Sequence, residues 1–462
     1  MSAPYWVQDA IFYQIFPDRF ANGDLTNDPP NVQKWGSAPT LWGFQGGDLR
    51  GIIQHLDYLL DLGINALYLN PIFSASTTHR YNTTDYYTVD PKLGTLADFQ
   101  ALVDAAHRNN IKIVLDGVFN HTGRGFFAFT DVLENGDRSA YKDWFHIKQF
   151  PLDAYGPGDP QNYSGWWNHK ALPKLNTTNP DVRKYIFGVA RYWLEQGIDG
   201  WRLDVPNEID DDSFWSEFRR VVRSVNRDAY LVGEIWDVNP HWVDQDHFDG
   251  LMNYPVRDAL LPYIQGRENA VQFGERINRL IKSYKHDNLY AMYVPLDSHD
   301  TERFKTLVGG NTEKLKLAIL YQMAFPGAPA IYYGDEIGQE GGRDPDSRRA
   351  FPWDQAYWDQ ELRAWVRMLI DLRKRTPSLR RGEYLPLLAE DGQYAFARTL
   401  GEDKVVVAMN ATGRSHRIDI GAAALNWADG RIVQNLLSHE KYTVSAGLIN
   451  ITLPAWSGIW IG

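Results

Sequence analysis

The stretch Gly197-Ile-Asp-Gly-Trp-Arg-Leu-Asp-Val-Pro-Asn207 contains a short apolar run, Trp201 to Val205. This run follows two glycines and includes an arginine and an aspartate. Because side chains alternate along a β-strand, Arg202 and Asp204 lie on one face and the apolar residues beside them lie on the other. A strand that directs two charged groups inward is unusual for a purely structural core. The pattern indicates a functional carboxylate held beside a fixed cation, with an ion pair at a strand end as the alternative.

Strand-like and helix-like segments alternate on both sides of this run, which predicts a parallel sheet with crossover helices. Strands are predicted at residues 10–16, 65–70, 111–119, 200–205, 230–235, 250–256, 290–296 and 330–333. Helices are predicted at residues 51–61, 95–109, 181–195, 212–225, 312–325 and 362–375, with Thr95 as an N-cap. Eight strands with intervening helices predict an α/β fold that is a closed (β/α)8 TIM barrel rather than an open sheet.

Two segments depart from this rhythm and predict two further units. Residues 122–178 follow the third strand, are rich in Gly, Asp, Asn, Pro and aromatic residues, and are too long for a simple loop. They predict an inserted subdomain, domain B, on the catalytic face. After about Pro377 short alternating runs predict a C-terminal antiparallel β-sandwich. The barrel is therefore assigned to residues 1–121 and 179–377, domain B to 122–178 and the sandwich to 378–462.

Composition narrows the class of protein. A net charge of −11 without a basic cluster argues against nucleic acid or an anionic membrane as a partner. The absence of cysteine excludes disulfides, thiolate catalysis and Cys-ligated zinc. The N-terminus shows no signal-peptide pattern, and no apolar run approaches the roughly 18 residues of a membrane helix, so a cytoplasmic location is expected. The 17 Trp and 25 Tyr suit stacking on sugar rings, although a large core also uses them.

Polar residues cluster where the predicted strands end, which is where a parallel barrel places its catalytic groups. A single aspartate there is usually a helix N-cap, but four strand ends carry acids or histidines. These strand-end groups are Asp116 to His121, Arg202 with Asp204, Glu234 with Trp236, and Asp297 to Asp300. Their concentration at one end of the barrel indicates an active site.

Three of these carboxylates suit glycosidic bond cleavage. Asp204 and Glu234 are 30 residues apart, about one βα unit, so they lie on adjacent strands. One can attack the anomeric carbon while the other protonates the leaving oxygen, as in a retaining glycosidase. Glu234 then needs a raised pKa, whereas Asp204 beside Arg202 is expected to keep a low pKa. Asp300 is a third acid that could stabilise the transition state.

Two kinds of metal site come into question. The first is a zinc site on histidines such as His121 and His299, but the lack of His-x-x-x-His spacing argues against zinc. These two histidines could instead donate hydrogen bonds to sugar hydroxyls. A group of oxygen-bearing residues near the N-terminus could instead hold a hard cation such as calcium, with an ordinary Asx-rich turn as the alternative. Its members are Asn22, Asp24, Asn27, Asp28, the carbonyl of Gly46, and Asp48.

The motifs at residues 116–121, 197–205, 233–236, 298–303 and 328–336 resemble, in order and spacing, those of the α-amylase family, glycoside hydrolase family 13. The resemblance implies that Asp204 is the nucleophile, Glu234 the acid/base and Asp300 the transition-state stabiliser. It also implies a set of residues around the sugar on the donor side. Together with further residues of the same motifs, this set gives seven candidate substrate-binding residues. They are Tyr81, Asp116, His121, Arg202, Trp236, His299 and Arg303.

Residues 172–176 and 204–208 resemble motifs of cyclomaltodextrinases, neopullulanases and maltogenic amylases. That resemblance favours calcium at the Asn22–Asp48 group, and Glu208, where many α-amylases have a calcium-ligating histidine, argues against a second calcium. Three features depart from the group. The barrel begins almost at Met1 with no preceding β-domain. Pro206 stands where the group commonly has an alanine, and Asp237 stands where it commonly has a histidine. Dimerisation and the balance of hydrolysis and transfer are therefore left open.

The resulting expectation is a retaining α-glucan hydrolase that cleaves α-1,4 bonds of maltooligosaccharides or starch, with cyclodextrins and pullulan as further candidate substrates. A glucanotransferase or sugar isomerase of the same family is the alternative enzyme. A non-catalytic member that binds glycans or a protein is the alternative from another class, although such members typically lose a catalytic carboxylate and this chain has all three. The partner is an α-glucan oligosaccharide, and the choice between monomer and homodimer is left open.

Overall fold

The computed structural model describes residues 3–209, 211–244 and 246–462. Eight parallel strands form its central sheet, numbered here in chain order: β1 Phe12–Ile15, β2 Ala66–Leu69, β3 Lys112–Gly117, β4 Gly200–Leu203, β5 Tyr230–Gly233, β6 Gly250–Leu251, β7 Tyr293–Pro295 and β8 Ala328–Tyr332. Successive strands pair from β1 to β6, β7 pairs with β8, and β8 pairs with β1. A parallel bridge between Met252 and Tyr293 joins the remaining edges. The predicted (β/α)8 barrel is confirmed.

Most of the helices pack around this sheet, and Phe127–Asn135 lies in the inserted segment. The helices are Pro17–Phe20, Leu49–Gln54, Leu56–Leu62, Leu96–Arg108, Phe127–Asn135, Pro180–Glu195, Asp212–Val225, Tyr254–Ile264, Ala270–Ser283, His286–Leu289, Phe304–Leu307, Thr312–Ala324, Gln360–Arg375 and Pro377–Arg381. Thr95 caps its helix as predicted, because its side chain and that of Asp98 each accept the other's backbone N–H. In the described part of the chain no helix is both long and apolar enough to cross a membrane, and the cytoplasmic location stays a prediction.

The sixth barrel strand is much shorter than predicted. It ends at Leu251, and the helix Tyr254–Ile264 occupies the last three residues of the segment that was assigned to strand. Pro255 lies in the first turn of this helix, where its fixed φ favours helix and its missing N–H costs nothing. The helix Ala270–Ser283 was not predicted at all, although Asn269 and Gln272 form a capping box at its start.

The segment after β3 packs as an aromatic-rich subdomain against the barrel. It contains the helix Phe127–Asn135 and otherwise short turns, and bridges pair Phe145 with Leu175 and His121 with Lys174. Phe129 and Trp144 join the main hydrophobic core. The inserted segment is thereby fastened beside the carboxyl end of β3, where the candidate site lies.

The C-terminal strands are antiparallel, and the two central strands of the larger sheet, Gln393–Leu400 and Asp403–Asn410, are largely buried on both faces. Four strands pair in the order Glu383–Glu390, Gln393–Leu400, Asp403–Asn410 and Ser457–Ile461, and two further pairs are His416–Gly421 with Leu448–Leu453 and Ile432–Gln434 with Lys441–Thr443. Tyr394 and Phe396 belong to the core shared with the barrel helices, whereas Ala395 and Ala397 belong to a second core within the domain. This alternation is that of a β-sandwich, as predicted.

Candidate active site

Arg202 is the centre of the site at the carboxyl ends of β3, β4 and β5. Its side chain is 1% exposed. Nη1 donates to Asp116 Oδ1 at 2.8 Å and to Asp204 Oδ1 at 2.9 Å. Nη2 lies 2.8 Å from Glu234 Oε2 as an ion pair, without the alignment of a hydrogen bond. One planar guanidinium therefore holds carboxylates from three neighbouring strand ends in fixed relative positions.

A strained turn directly after β4 orients the two central carboxylates. Val205 has a φ of 36°, which is rare for a β-branched residue. In this conformation its N–H donates to Glu234 Oε2 at 3.1 Å, while the N–H of Asp204 donates to the carbonyl of Gly117 at 3.1 Å. Strain of this kind persists only where surrounding contacts enforce it, and it is typical of functional sites.

Both central carboxyls have pKa values above their ordinary range. Burial raises the pKa of Asp204, and the neighbouring Glu234, Asp116 and Asp300 raise it further against the attraction of Arg202. The expectation that Arg202 keeps the pKa of Asp204 low is wrong, because burial and the neighbouring carboxylates together outweigh the attraction of the guanidinium. Burial also raises the pKa of Glu234, with Asp300 adding to the effect and Arg202 opposing it. A raised pKa suits Glu234 as a proton donor.

Asp300 differs from these two carboxyls in its surroundings. Its side chain is 32% exposed, with Oδ2 3.0 Å from His299 Nε2 and Oδ1 3.3 Å from Arg348 Nη2. Burial favours a higher pKa for Asp300, but His299 and Arg348 outweigh it and hold the pKa well below its usual value. Asp300 is therefore an anion poised beside the pair, as a stabiliser of positive charge must be.

The proton of His299 is placed by its neighbours. The amide Nε2 of Gln14 lies 2.9 Å from His299 Nδ1 and 3.0 Å from Asn70 Oδ1, so it donates to both and Nδ1 is an acceptor. The proton of the neutral ring is then on Nε2, which lies 2.6 Å from the hydroxyl of Tyr81. That hydroxyl also lies 2.7 Å from Asp116 Oδ2. The candidate substrate-binding residue Tyr81 is thus linked to both His299 and Asp116.

His121 is neutral and fully buried at the border with domain B. Burial lowers the pKa of His121 to about 3. Its Nε2 lies 3.1 Å from the carbonyl of Tyr81, and its ring stacks on Trp166 with centroids 5.1 Å apart. Trp166 in turn stacks on Trp167, which is 74% exposed. His121 therefore supports an aromatic wall contributed by domain B.

A second aromatic platform lies beyond Glu234. Trp236 is 43% exposed and stacks on Tyr254 with centroids 3.9 Å apart and planes within 3°. The hydroxyl of Tyr254 donates to Ser298 Oγ at 3.0 Å, and the N–H of Asp300 donates to that same Oγ at 3.2 Å. The exposed face of Trp236 is therefore held in fixed relation to the catalytic carboxylates and offers a stacking surface for a sugar.

Two predicted substrate-binding residues lie deeper than the others. Asp116 is 1% exposed and is occupied by Arg202, Tyr81 and Tyr68, so it positions these groups. Arg303 is fully buried, pairs with Asp335 at 2.8 Å and donates to backbone carbonyls. The structure does not bring Arg303 into contact with the catalytic carboxylates among the described residues.

The predicted cation group does converge. Asn22 Oδ1 and Asn27 Oδ1 are buried and have no hydrogen-bond partner among the described residues. Asp28 lies against Asn22, and burial raises its pKa. Gly46 has a φ of 86°, and a Cβ there would collide with both of these side chains. Unpaired buried carbonyl oxygens beside a carboxylate fit a bound cation.

The remaining two members of this group have other partners as well. The carboxylate of Asp48 accepts N–H groups from Gly23 at 3.1 Å and Gly51 at 2.7 Å. The carboxylate of Asp24 pairs with Arg50 Nη1 at 2.9 Å and accepts from Thr26, so its side chain is turned toward the surface. Glu208, the residue that argues against a second calcium site, pairs with Lys174 at 3.3 Å.

Sequence reasoning missed several residues of the site. Arg348, which contacts Asp300, belongs to the loop after β8, and it is also 3.0 Å from Asp344. Tyr254 and the Trp166–Trp167 pair were missed as well. The adjacent tryptophans inside a polar insertion were a usable signal, whereas nothing local marks Tyr254 or Arg348, whose roles depend on contacts between distant segments.

Comparison with known proteins assigns both parts of the chain. Residues 14–378 match the alpha amylase catalytic domain, and residues 384–460 match the neopullulanase-like C-terminal domain. The chain is similar to neopullulanase 2 of Thermoactinomyces vulgaris, with 43% identity over 468 residues that cover 100% of this chain and 79% of the relative. It is similar to a cyclomaltodextrinase of Bacillus sp, with 46% identity over 420 residues that cover 90% of this chain and 75% of the relative.

A solved structure matches the chain from end to end. The cyclic alpha-maltosyl-(1→6)-maltose hydrolase from Arthrobacter globiformis, in complex with that sugar, superposes with a TM-score of 0.91 at 39% identity and covers 100% of both chains. The likeness therefore extends over the barrel, the insertion and the C-terminal sheet.

Proposed function

The chain belongs to the α-amylase family of glycoside hydrolases, and from this we propose that it hydrolyses α-1,4-glucosidic bonds of maltooligosaccharides with retention of anomeric configuration. The attachment of Asp204 and Glu234 to adjacent nitrogens of one buried guanidinium carries the proposal. Retaining glycosidases need two carboxyls about 5–5.5 Å apart, and a shared arginine keeps such a pair close.

In the first step Asp204 attacks the anomeric carbon while Glu234 transfers its proton to the glycosidic oxygen. The bond to the leaving sugar breaks, and a glycosyl ester on Asp204 forms. The raised pKa of Glu234 keeps the proton available for this transfer. The carboxylate of Asp300 stabilises the positive charge that develops on the donor sugar ring, because His299 and Arg348 hold it ionised.

In the second step the ionised Glu234 takes a proton from water, and the resulting hydroxide attacks the same anomeric carbon. The ester bond to Asp204 breaks, which restores both carboxyl groups. Two displacements at one carbon leave its configuration unchanged. If another sugar bound on Trp236 replaces the water, the product is a transferred oligosaccharide, so hydrolysis and transfer share the first step.

The substrate class is drawn from the relatives. Their names concern pullulan, cyclic maltodextrins and a cyclic sugar that contains a 1→6 bond. We therefore place cyclodextrins, pullulan and α-1,6-branched maltooligosaccharides beside linear ones as substrates of this chain. The exposed aromatic faces of Trp167 and Trp236 would stack on glucose units on either side of the cleaved bond.

One incubation panel tests the proposal. Maltotriose, soluble starch, pullulan, β-cyclodextrin and sucrose are each incubated with the protein, products are resolved over time, and the anomer formed first is read by proton NMR. We expect α-glucose or α-maltose from the glucans and no action of Asp204→Ala. A β-anomer as first product, or near-normal turnover by Asp204→Ala, would falsify it. Action on sucrose alone would favour the sugar isomerase. Products longer than the substrate would favour the glucanotransferase, and binding without turnover would favour the non-catalytic family member.

We also propose that the Asn22–Asp48 group binds calcium. The support is the pair of buried amide oxygens that have no hydrogen-bond partner within the described ranges, and the glycine that leaves room for Asp28. Calcium accepts six to eight oxygens in flexible geometry, and such an ion would join the first loop to the helix that begins after Asp48. Calcium should raise the melting temperature of the wild type and leave Asn27→Ala unchanged. Equal effects on both proteins would overturn the proposal.

A further inference from the structure

A second cluster of metal-binding side chains lies outside the site described above. Asp212, at the first turn of the helix Asp212–Val225, faces His241 and His247 from the loop that follows β5. The Nε2 atoms of both histidines lie 3.1 Å from the same oxygen, Asp212 Oδ1. We propose that Asp212, His241 and His247 form a binding site for a divalent transition metal of the Zn²⁺ class.

Two of the three spacings, each 3.1 Å from a histidine Nε2 to Asp212 Oδ1, are close to those of tetrahedral coordination. All three lie within 4.8 Å of one another. In a tetrahedral zinc site with bonds of about 2.0–2.1 Å, the ligand atoms are roughly 3.3 Å apart, so only small movements are needed to bring them to bonding positions. The side chains of Asp212 and His241 are 62% and 51% exposed, which leaves a fourth position open to water.

His247 is oriented as a metal-binding histidine is. Its side chain is 5% exposed, and Nδ1 lies 2.9 Å from Asp244 Oδ1. That oxygen also accepts the N–H groups of Asp246 and His247 at 2.8 Å each. Because a carboxylate only accepts, Nδ1 carries the proton, and in the neutral ring Nε2 presents its lone pair toward Asp212. A carboxylate that fixes the tautomer in this way is the usual outer partner of a zinc-bound histidine.

Carboxylate oxygens lie on both sides of the His247 ring, 2.9 Å from Nδ1 and 3.1 Å from Nε2. The lone pair on Nε2 of a neutral His247 and the carboxylate of Asp212 are both acceptors, and they would repel at 3.1 Å. Either a metal ion or a second ring proton resolves this, and an ion pair of histidinium with aspartate is the competing account. Trp242 packs edge-on against both histidines, with centroids 5.0 and 5.7 Å away, so the rings are held in position either way.

The donor set selects the metal. Two imidazole nitrogens and one carboxylate suit Zn²⁺, Co²⁺, Ni²⁺ or Cu²⁺, whereas Ca²⁺ and Mg²⁺ prefer oxygen alone. The site is therefore distinct in chemistry from the proposed calcium site. A bound ion would fasten the loop after β5, which continues from Glu234 and Trp236, to the helix Asp212–Val225.

The test uses tag-free protein stripped of transition metals, with calcium kept in excess throughout. Zn²⁺ is titrated calorimetrically, and Co²⁺ is titrated by visible absorption, because four-coordinate Co²⁺ absorbs far more strongly than the hydrated ion. We expect one equivalent of Zn²⁺ to bind. His241→Ala and Asp212→Asn should weaken binding at least tenfold, and Asp244→Asn by about 10–100-fold through the orientation of His247.

His416→Ala is the matched control, since His416 lies in the C-terminal domain and contacts Arg414. It should bind Zn²⁺ as the wild type does, and Zn²⁺ should raise the melting temperature of both but not of His241→Ala. Equal Zn²⁺ affinity of His241→Ala and wild type, or a Co²⁺ spectrum that stays that of the hydrated ion, would overturn the proposal in favour of the ion pair. The Co²⁺ spectrum of the wild type decides this even if a variant fails to fold, and no readout depends on glycosidase activity.

Discussion

Arg202 Nη1 lies 2.9 Å from Asp204 Oδ1, yet the same guanidinium also holds Asp116 and Glu234. One buried positive charge therefore faces three carboxyl groups, and Asp300 adds a fourth nearby. Burial raises the pKa values of both carboxyls of the catalytic pair, and the neighbouring carboxylates raise them further. The arginine thus fixes the geometry of the pair, while burial favours the protonated form that an acid acting beside a nucleophile requires.

Arg202→Lys tests this geometric role. A lysine keeps the charge but lacks the planar fork, so it cannot hold Asp116, Asp204 and Glu234 at once. We expect kcat/KM on maltotriose to fall by about 10²-fold or more, since small displacements of catalytic groups cost that much. Arg223→Lys is the control, because Arg223 is a buried arginine that pairs with Asp249 away from this group. It should lose stability and keep kcat, and a similar loss of kcat in both variants would contradict the prediction.

The pH profile of kcat/KM should be displaced upward. Asp204 must be ionised to attack, and burial with neighbouring anions raises its pKa above the ordinary 3.8, so activity is lost at a higher pH on acidification. Glu234 must be protonated, and burial raises its pKa above 4.5, so activity persists further toward neutral pH. The two apparent values belong to the pair as a whole.

Asp300→Asn tests whether the negative charge of Asp300 contributes to this upward displacement of the pH profile. The substitution removes a negative charge that raises the pKa of both Asp204 and Glu234, so both limbs of the profile should shift to lower pH. An aryl maltoside with a good leaving group keeps the residual activity measurable. Limbs that stay in place or move to higher pH would show that Asp300 does not act on the pair electrostatically.

The sequence predicted what local patterns control. The helix Asp212–Val225 was placed with its observed bounds because an acidic start and a strong apolar periodicity specify it. The barrel followed from the alternation of strands and helices, and the strand-end rule located Asp204, Glu234 and Asp300. The two-residue strand β6 was overestimated, because its end depends on closure of the barrel through Met252 and Tyr293 rather than on its own residues.

Contacts between distant segments explain what the sequence did not reveal. The pKa of Asp204 depends on its burial and on the carboxylates around Arg202, and both become visible only when strands β3 to β5 are side by side. His241 and His247 are separated by five residues on a loop, so no helical metal-binding spacing marks them, and Asp212 comes from a different element. Tyr254 supports Trp236 only because the helix after β6 folds beneath it.

Trp236→Ala should weaken binding of an acceptor sugar more than it affects cleavage itself. Loss of one aromatic stacking contact costs about 0.5–1.5 kcal/mol, or roughly two- to twelvefold in affinity. The ratio of transfer to hydrolysis, measured by chromatography with glucose added as acceptor, should fall accordingly. Trp236→Phe keeps a ring on Tyr254 and should recover most of the ratio, whereas Tyr357→Ala, another exposed aromatic, should have no effect. An unchanged ratio in Trp236→Ala would exclude the acceptor role.

Val205→Gly should stabilise the protein and slow it. A β-branched residue at φ 36° is strained, and the following Pro206 disfavours this conformation further. Relief of strain worth about 1–3 kcal/mol should outweigh the entropy cost of glycine, which is about 0.4–1 kcal/mol, so the melting temperature should rise. The same change frees the N–H that binds Glu234 and the turn that carries Asp204, so kcat should fall roughly tenfold as the pair loses its fixed geometry. Ala446→Gly relieves a similar φ of 51° in the C-terminal domain and should raise the melting temperature without changing kcat. A more stable Val205→Gly with full kcat would mean that the strained turn is not what aligns the two carboxylates.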